Sequence, residues 1–155
     1  MTHQPNFEAL KEERATFVES VVARPTTDAW VRISQILLES PPCREDEPLP
    51  TVYEGPARSY LLPLPYQILS AFIKRHGTNA LDLLFQHCDD ASPLLAAYCI
   101  FGLAHAEDSR LERAAQKVNG RNETLATLYG CFGWEGTLSE YAAEKLQEFN
   151  NAKST

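Results

Sequence analysis

The chain has 155 residues and a formal charge of −7, with 44% hydrophobic, 10% aromatic and 23% charged residues. That length suits a single domain able to bury a core without disulfides or metals, and the mixture is not that of a disordered chain. An acidic balance excludes a phosphate-binding surface as the main feature, because nucleic-acid binding needs clustered Lys and Arg. The charge is also spread along the chain, with Glu45-Asp46-Glu47 the one local acidic run.

Met1–Lys11 is polar and has no apolar core, so a secretory leader is not expected. No apolar run reaches the roughly 18 residues of a membrane helix, and a cytoplasmic location without membrane contact is expected. Cys43, Cys88, Cys99 and Cys131 form no C-x-x-C pair. Cys88, Cys99 and Cys131 are expected to be buried free thiols.

In chain order, residues 1–40 read as a helical hairpin. Asn6 caps a helix whose inner face is Phe7, Leu10, Phe17, Val18, Val21 and Val22, and Arg24-Pro25 stops it. A second helix opens at Thr27-Asp28 with Trp30, Ile33, Leu37 and Leu38 inward. Residues 41–64 hold six of the ten prolines, which excludes a long helix or a central strand. Thr51-Val52-Tyr53 and Ser59-Tyr60-Leu61-Leu62 flank Glu54-Gly55-Pro56, as a small hairpin or an extended crossover that packs against the core.

Residues 65–150 carry helix starts near Pro65, Asn79, Pro93, Asp108, Asn122 and Leu138, a spacing of one short helix and one turn. Ser92 precedes Pro93, Thr137 with Glu140 makes a capping box, and Gly77 and Gly120 follow basic last turns. The stretch Pro93–His105 is apolar nearly all round and is expected to be the central buried helix. No segment of comparable strand periodicity stands out. The fold class expected is therefore all-α: a helical hairpin, a proline-rich crossover and a stack of six short antiparallel helices.

Asp90-Ala91-Ser92-Pro93-Leu94-Leu95-Ala96-Ala97-Tyr98-Cys99-Ile100-Phe101-Gly102-Leu103-Ala104 resembles a HEAT-like repeat helix. The resemblance implies a curved helical stack used as a binding surface. The neighbouring units do not repeat the Ala-Ala…Gly-Leu signature. A small acidic helical chain also resembles bacterial immunity proteins in general type.

The polar cluster His87-Cys88-Asp89-Asp90, with His105 and Asp108, is a conceivable metal or catalytic site, but Asp89-Asp90 reads more simply as a turn before Ser92-Pro93. His105 and Asp108 are spaced for a local ion pair, and His76 for capping a helix end. The segment Tyr129–Thr137 places three glycines among aromatics, either as a plug at the end of the core or as an exposed anchor. Neither a metal nor a cofactor is expected. The reading reached is a non-enzymatic protein-binding role, an inhibitor or immunity-type protein masking a basic partner such as a toxin or effector. The contact residues expected are Glu45, Asp46, Glu47, Tyr53, Asp89, Asp90 and Trp134. An enzyme with a polar site near His87 and His105, a scaffold subunit and a homodimer are the alternatives.

Overall fold

The computed structural model describes residues 6–44, 46, 48–55, 63–129 and 132–154. Of these residues 64% are helical, and they form seven helices and a three-stranded mixed sheet. The N-terminal hairpin is α1 (Phe7–Val22) and α2 (Thr26–Leu38). Asn6 caps α1 by accepting from the Ala9 N–H at 3.2 Å. Val18, Val21 and Val22 are buried, whereas Phe7 and Leu10 are exposed, because only the last turns of α1 meet the core. In α2, Trp30, Ile33 and Leu37 point inward as expected, while Leu38 is exposed.

The proline-rich segment leads into β1 (Thr51–Tyr53). Thr51 and Val52 of this segment are buried, and its described residues from Pro41 to Pro48 are exposed. Two bonds close within it: the Cys43 N–H donates to Thr51 Oγ1 at 3.1 Å, and the Tyr53 hydroxyl to the Pro41 carbonyl at 2.6 Å. The expected extended run Ser59–Leu62 lies outside the described residues. Four helices follow: α3 (Leu64–His76), α4 (Thr78–His87), α5 (Pro93–His105) and α6 (Leu111–Lys117). Gly77, which ends α3, and Gly120, which follows α6, both have positive φ, a backbone conformation that favours glycine. Ser92 accepts from the Leu95 N–H at 3.3 Å and starts α5.

α5 is the central helix. Every residue from Leu94 to Leu103 is buried, and α5 packs against α2, α3, α4, α6, α7, β1 and β2. Its one polar side chain in that stretch, Tyr98, is fully buried. The Tyr98 hydroxyl accepts from the Tyr53 N–H at 3.1 Å and donates to the Thr51 carbonyl at 3.2 Å. Burial raises its pKa well above the usual value.

The chain is not all-α. The helix expected from Asn122 is instead β2 (Thr124–Tyr129), paired antiparallel with β3 (Phe132–Thr137) and parallel with β1. Thr124, Thr127 and Tyr129 favour strand, and Gly133 and Gly136 disfavour helix. The alternation is hidden because β2 is the middle strand: Leu125, Ala126 and Thr127 are buried in succession. A 14-residue interval fits a helix and turn or a hairpin equally well, so the described residues of 65–150 form five helices and a strand pair, not six helices. α7 (Leu138–Lys153) opens on the expected capping box, with Thr137 and Glu140 exchanging bonds at 3.0 and 3.1 Å. Among the described residues no helix is long and apolar enough to cross a membrane.

Tyr98→Phe leaves two backbone groups of β1 without a partner. The expected cost is about 2 kcal/mol, a Tm lower by roughly 4–8 °C. An unchanged melting curve contradicts the clamp.

Candidate functional site

Glu54 follows β1 directly, and its N–H continues the ladder to the Leu128 carbonyl at 2.9 Å. This delivers its carboxylate to the inner face of α7. There Oε2 accepts from the Tyr141 hydroxyl at 2.8 Å and pairs with the Lys145 ammonium at 2.6 Å. Tyr141 and Lys145 are four residues apart on α7 and so share one face. Side-chain exposure is only 11% for Glu54 and 14% for Lys145, and Lys145 also reaches Glu148 at 3.5 Å. The ammonium lies 5.4 Å from the centre of the Tyr141 ring. Burial, then the neighbouring Glu54 charge, hold the Tyr141 hydroxyl far above the usual tyrosine pKa. It therefore stays a donor and is unsuited to act as a base near neutral pH.

These groups line a cleft of about 160 Å³. Its walls are Thr127, Tyr129, Trp134 and Tyr141, and its rim carries Glu144 and Glu148. Trp134 sits 6.1 Å from the Tyr141 ring. Two glycines shape it: a Cβ on Gly55 would overlap the Tyr129 ring, and one on Gly136 would overlap the Trp134 indole. Three carboxylates face one ammonium, so the cleft is net negative. Its volume is below the roughly 300 Å³ of sites that enclose drug-sized ligands or cofactors, and it suits a single side chain or a small amine.

The residues expected to contact a partner are scattered. Trp134 is in the cleft, half-buried over Gly136. Tyr53 is half-buried and spends its hydroxyl on Pro41. Asp46 is exposed and pairs with Arg44 at 3.0 Å; Glu45 and Glu47 lie outside the described residues. Asp90 accepts from the Ser92 N–H at 2.9 Å, the turn role expected of it. The carbonyls of Asp89, Asp90 and Ala91 all accept from Arg121 at 2.7–3.2 Å.

The polar cluster around α4 and α5 is not one site. His87 packs 5.4 Å from Trp30, whereas His105 lies against Tyr66 and Phe101. They end consecutive helices, about 18 Å apart along α5 at 1.5 Å per residue. Asp108 does not pair with His105. It takes three bonds from Arg110, which depress its pKa. His76 donates from Nε2 to the Val22 carbonyl at 2.7 Å and accepts at Nδ1 from Thr26 at 2.8 Å, closing the end of α1. Cys88 and Cys99 are buried free thiols with pKa values raised by burial, and Cys43 is exposed; Cys131 lies outside the described residues. Among the described residues no group of three or more His, Cys, Asp or Glu could hold a metal ion.

Sequence reasoning missed Glu54, Tyr141, Glu144, Lys145 and Glu148 as site residues, and singled out Tyr129 only as part of the glycine-rich segment Tyr129–Thr137. The signal within reach was Tyr141-Ala142-Ala143-Glu144-Lys145, which sets a hydroxyl and an ammonium on one helical face. Comparisons with protein-family models, curated proteins and solved structures gave no match.

Lys145→Met leaves the Glu54 carboxylate largely buried without its cation, at an expected cost of about 3 kcal/mol. Glu54→Gln, which can still accept from Tyr141, costs less. The double variant recovers part of the Lys145→Met loss, read by urea denaturation. Additive losses contradict the pairing. Tyr98 and Tyr141 both have raised folded-state pKa values, so the stability they hold is present below about pH 10 and declines above it. Denaturation midpoints should therefore fall above pH 10, and fall less in Tyr141→Phe; equal alkaline sensitivity in that variant contradicts the assignment.

Proposed function

We propose that this chain is a non-enzymatic protein-binding protein, an inhibitor or immunity-type protein that masks a basic partner such as a toxin or effector in the cytoplasm. The observation that carries this reading is the cleft of Glu54, Glu144 and Glu148 walled by Tyr129, Trp134 and Tyr141. Carboxylates on aromatic walls favour a cation, through charge and through the negative face of the rings. Lys145, already seated on Glu54 beside the Tyr141 ring, is an example of the chemistry the cleft accepts. The diffuse acidity of the rest of the chain aids approach of a basic partner and opposes an acidic one. In the same reading, the short pairs α3/α4 and α5/α6 form a HEAT-like stack that supports the binding face.

Co-expression with the products of neighbouring genes, followed by affinity capture, tests the proposal. A stoichiometric complex that weakens with added salt is expected. Glu144→Lys with Glu148→Lys should weaken it at least about tenfold, a loss of about 1.4 kcal/mol. Glu8→Lys with Glu12→Lys, the same charge change on α1, should leave it within about twofold. Equal effects of the two pairs, or no complex with any neighbouring product, contradict the reading.

A further inference from the structure

The two edges of the sheet are treated differently. On β1 the outward-facing Tyr53 N–H and Thr51 carbonyl are taken by the Tyr98 hydroxyl. Among the described residues no side chain bonds the β3 edge in the way Tyr98 bonds β1, although Cys43 and Arg44 line the surface beside Gly133 and Glu135. Tyr129 pairs with Phe132 across two intervening residues, and the Leu138 N–H bonds to the Glu123 carbonyl at 2.9 Å. Both set the same antiparallel phase, in which Phe132, Trp134 and Gly136 face β2 with their backbone groups. Gly133, Glu135 and Thr137 therefore direct theirs outward. The Thr137 N–H is taken by Glu140 at 3.0 Å. Gly133 and Glu135 are exposed, and a Cβ at Gly133 would meet only the Thr127 carbonyl, at 3.8 Å.

We propose that the β3 edge is the docking strand for a basic, extended segment of the partner, which adds to the sheet alongside Gly133–Glu135 and directs lysine or arginine side chains to the face where the cleft opens. An open strand edge is a template for another strand, and backbone bonds supply affinity while alternate side chains supply specificity. Charge argues for a basic occupant. Glu135 stands on the edge itself, and residues of the added strand in register with Trp134 share its face and look toward Glu144 and Glu148. Gly133 lines the cleft as well as the edge, so one bound segment can use both. The inference rests on the cation-binding reading above and adds the backbone mode of recognition to it.

The probes are an octapeptide alternating threonine and lysine, and the same peptide with every backbone nitrogen methylated. The second keeps every ammonium group and can donate no strand hydrogen bond. With the full chain, the unmodified peptide is expected to bind at least about tenfold more tightly than the methylated one. The Gly133 and Glu135 amides of the unaltered protein should then exchange with solvent at least about tenfold more slowly. Gly133→Pro, which removes one outward donor, should abolish the difference between the peptides; the exchange measurement serves if that variant does not fold. Equal binding of the two peptides, still weakened by Glu144→Lys with Glu148→Lys, overturns strand addition and leaves the cation-binding reading standing. If neither peptide binds, both readings fall.

Discussion

The Tyr98 hydroxyl is the one polar group that gives direction to an otherwise featureless core helix. α5 is buried along ten consecutive residues, and apolar burial is non-directional: it draws elements together without setting their register. Tyr98 bonds two of the backbone groups that β1 turns away from β2, the Tyr53 N–H and the Thr51 carbonyl. It thereby anchors the side of that short strand that β2 does not reach. A strand of three residues in a proline-rich segment has little else to hold it, since proline contributes no backbone donor. Sealing that edge also removes a site of unwanted strand pairing.

The position of Glu54 is the consequence. It is the first residue beyond β1, and its carboxylate arrives within reach of Tyr141 and Lys145 because the ladder to Leu128 carries one residue further. A carboxylate this buried requires compensation, and a phenol and an ammonium four residues apart on α7 provide it. The compensation is incomplete by charge, since Glu144 and Glu148 add two negative groups at the rim. A cleft that stays negative after its own lysine has been counted is a setting for a second cation.

Most of the helices were legible in the residues. Asn6, Ser92-Pro93 and Thr137…Glu140 mark helix starts by chemistry that acts within one turn, and the all-round apolarity of Pro93–His105 marks the helix that everything else covers. The sheet was not legible, for a physical reason. Strand pairing is long-range: Thr51–Tyr53 finds Ala126–Leu128 across four intervening helices. Burial of both faces of β2 then erased the alternation that identifies a half-exposed strand. The site was lost with the sheet, because Glu54 and Trp134 meet α7 only through that pairing. Asp89-Asp90 and the histidines looked chemical in sequence, yet they close turns and helix ends. Glu54, followed by Gly55 in what read as a bare turn, looked incidental.

The account turns on Glu54 organising a cation-binding cleft, and the chain carries its own reporter. Of its two tryptophans, Trp134 walls the cleft and Trp30 is buried against Phe72 and His87. The direct measurement is the pair of indole N–H resonances during titration with tetralysine. The Trp134 resonance should shift saturably, the Trp30 resonance should stay in place, and Glu54→Gln should abolish the shift. A Trp134 signal that never moves, or one that moves equally in Glu54→Gln, contradicts the account.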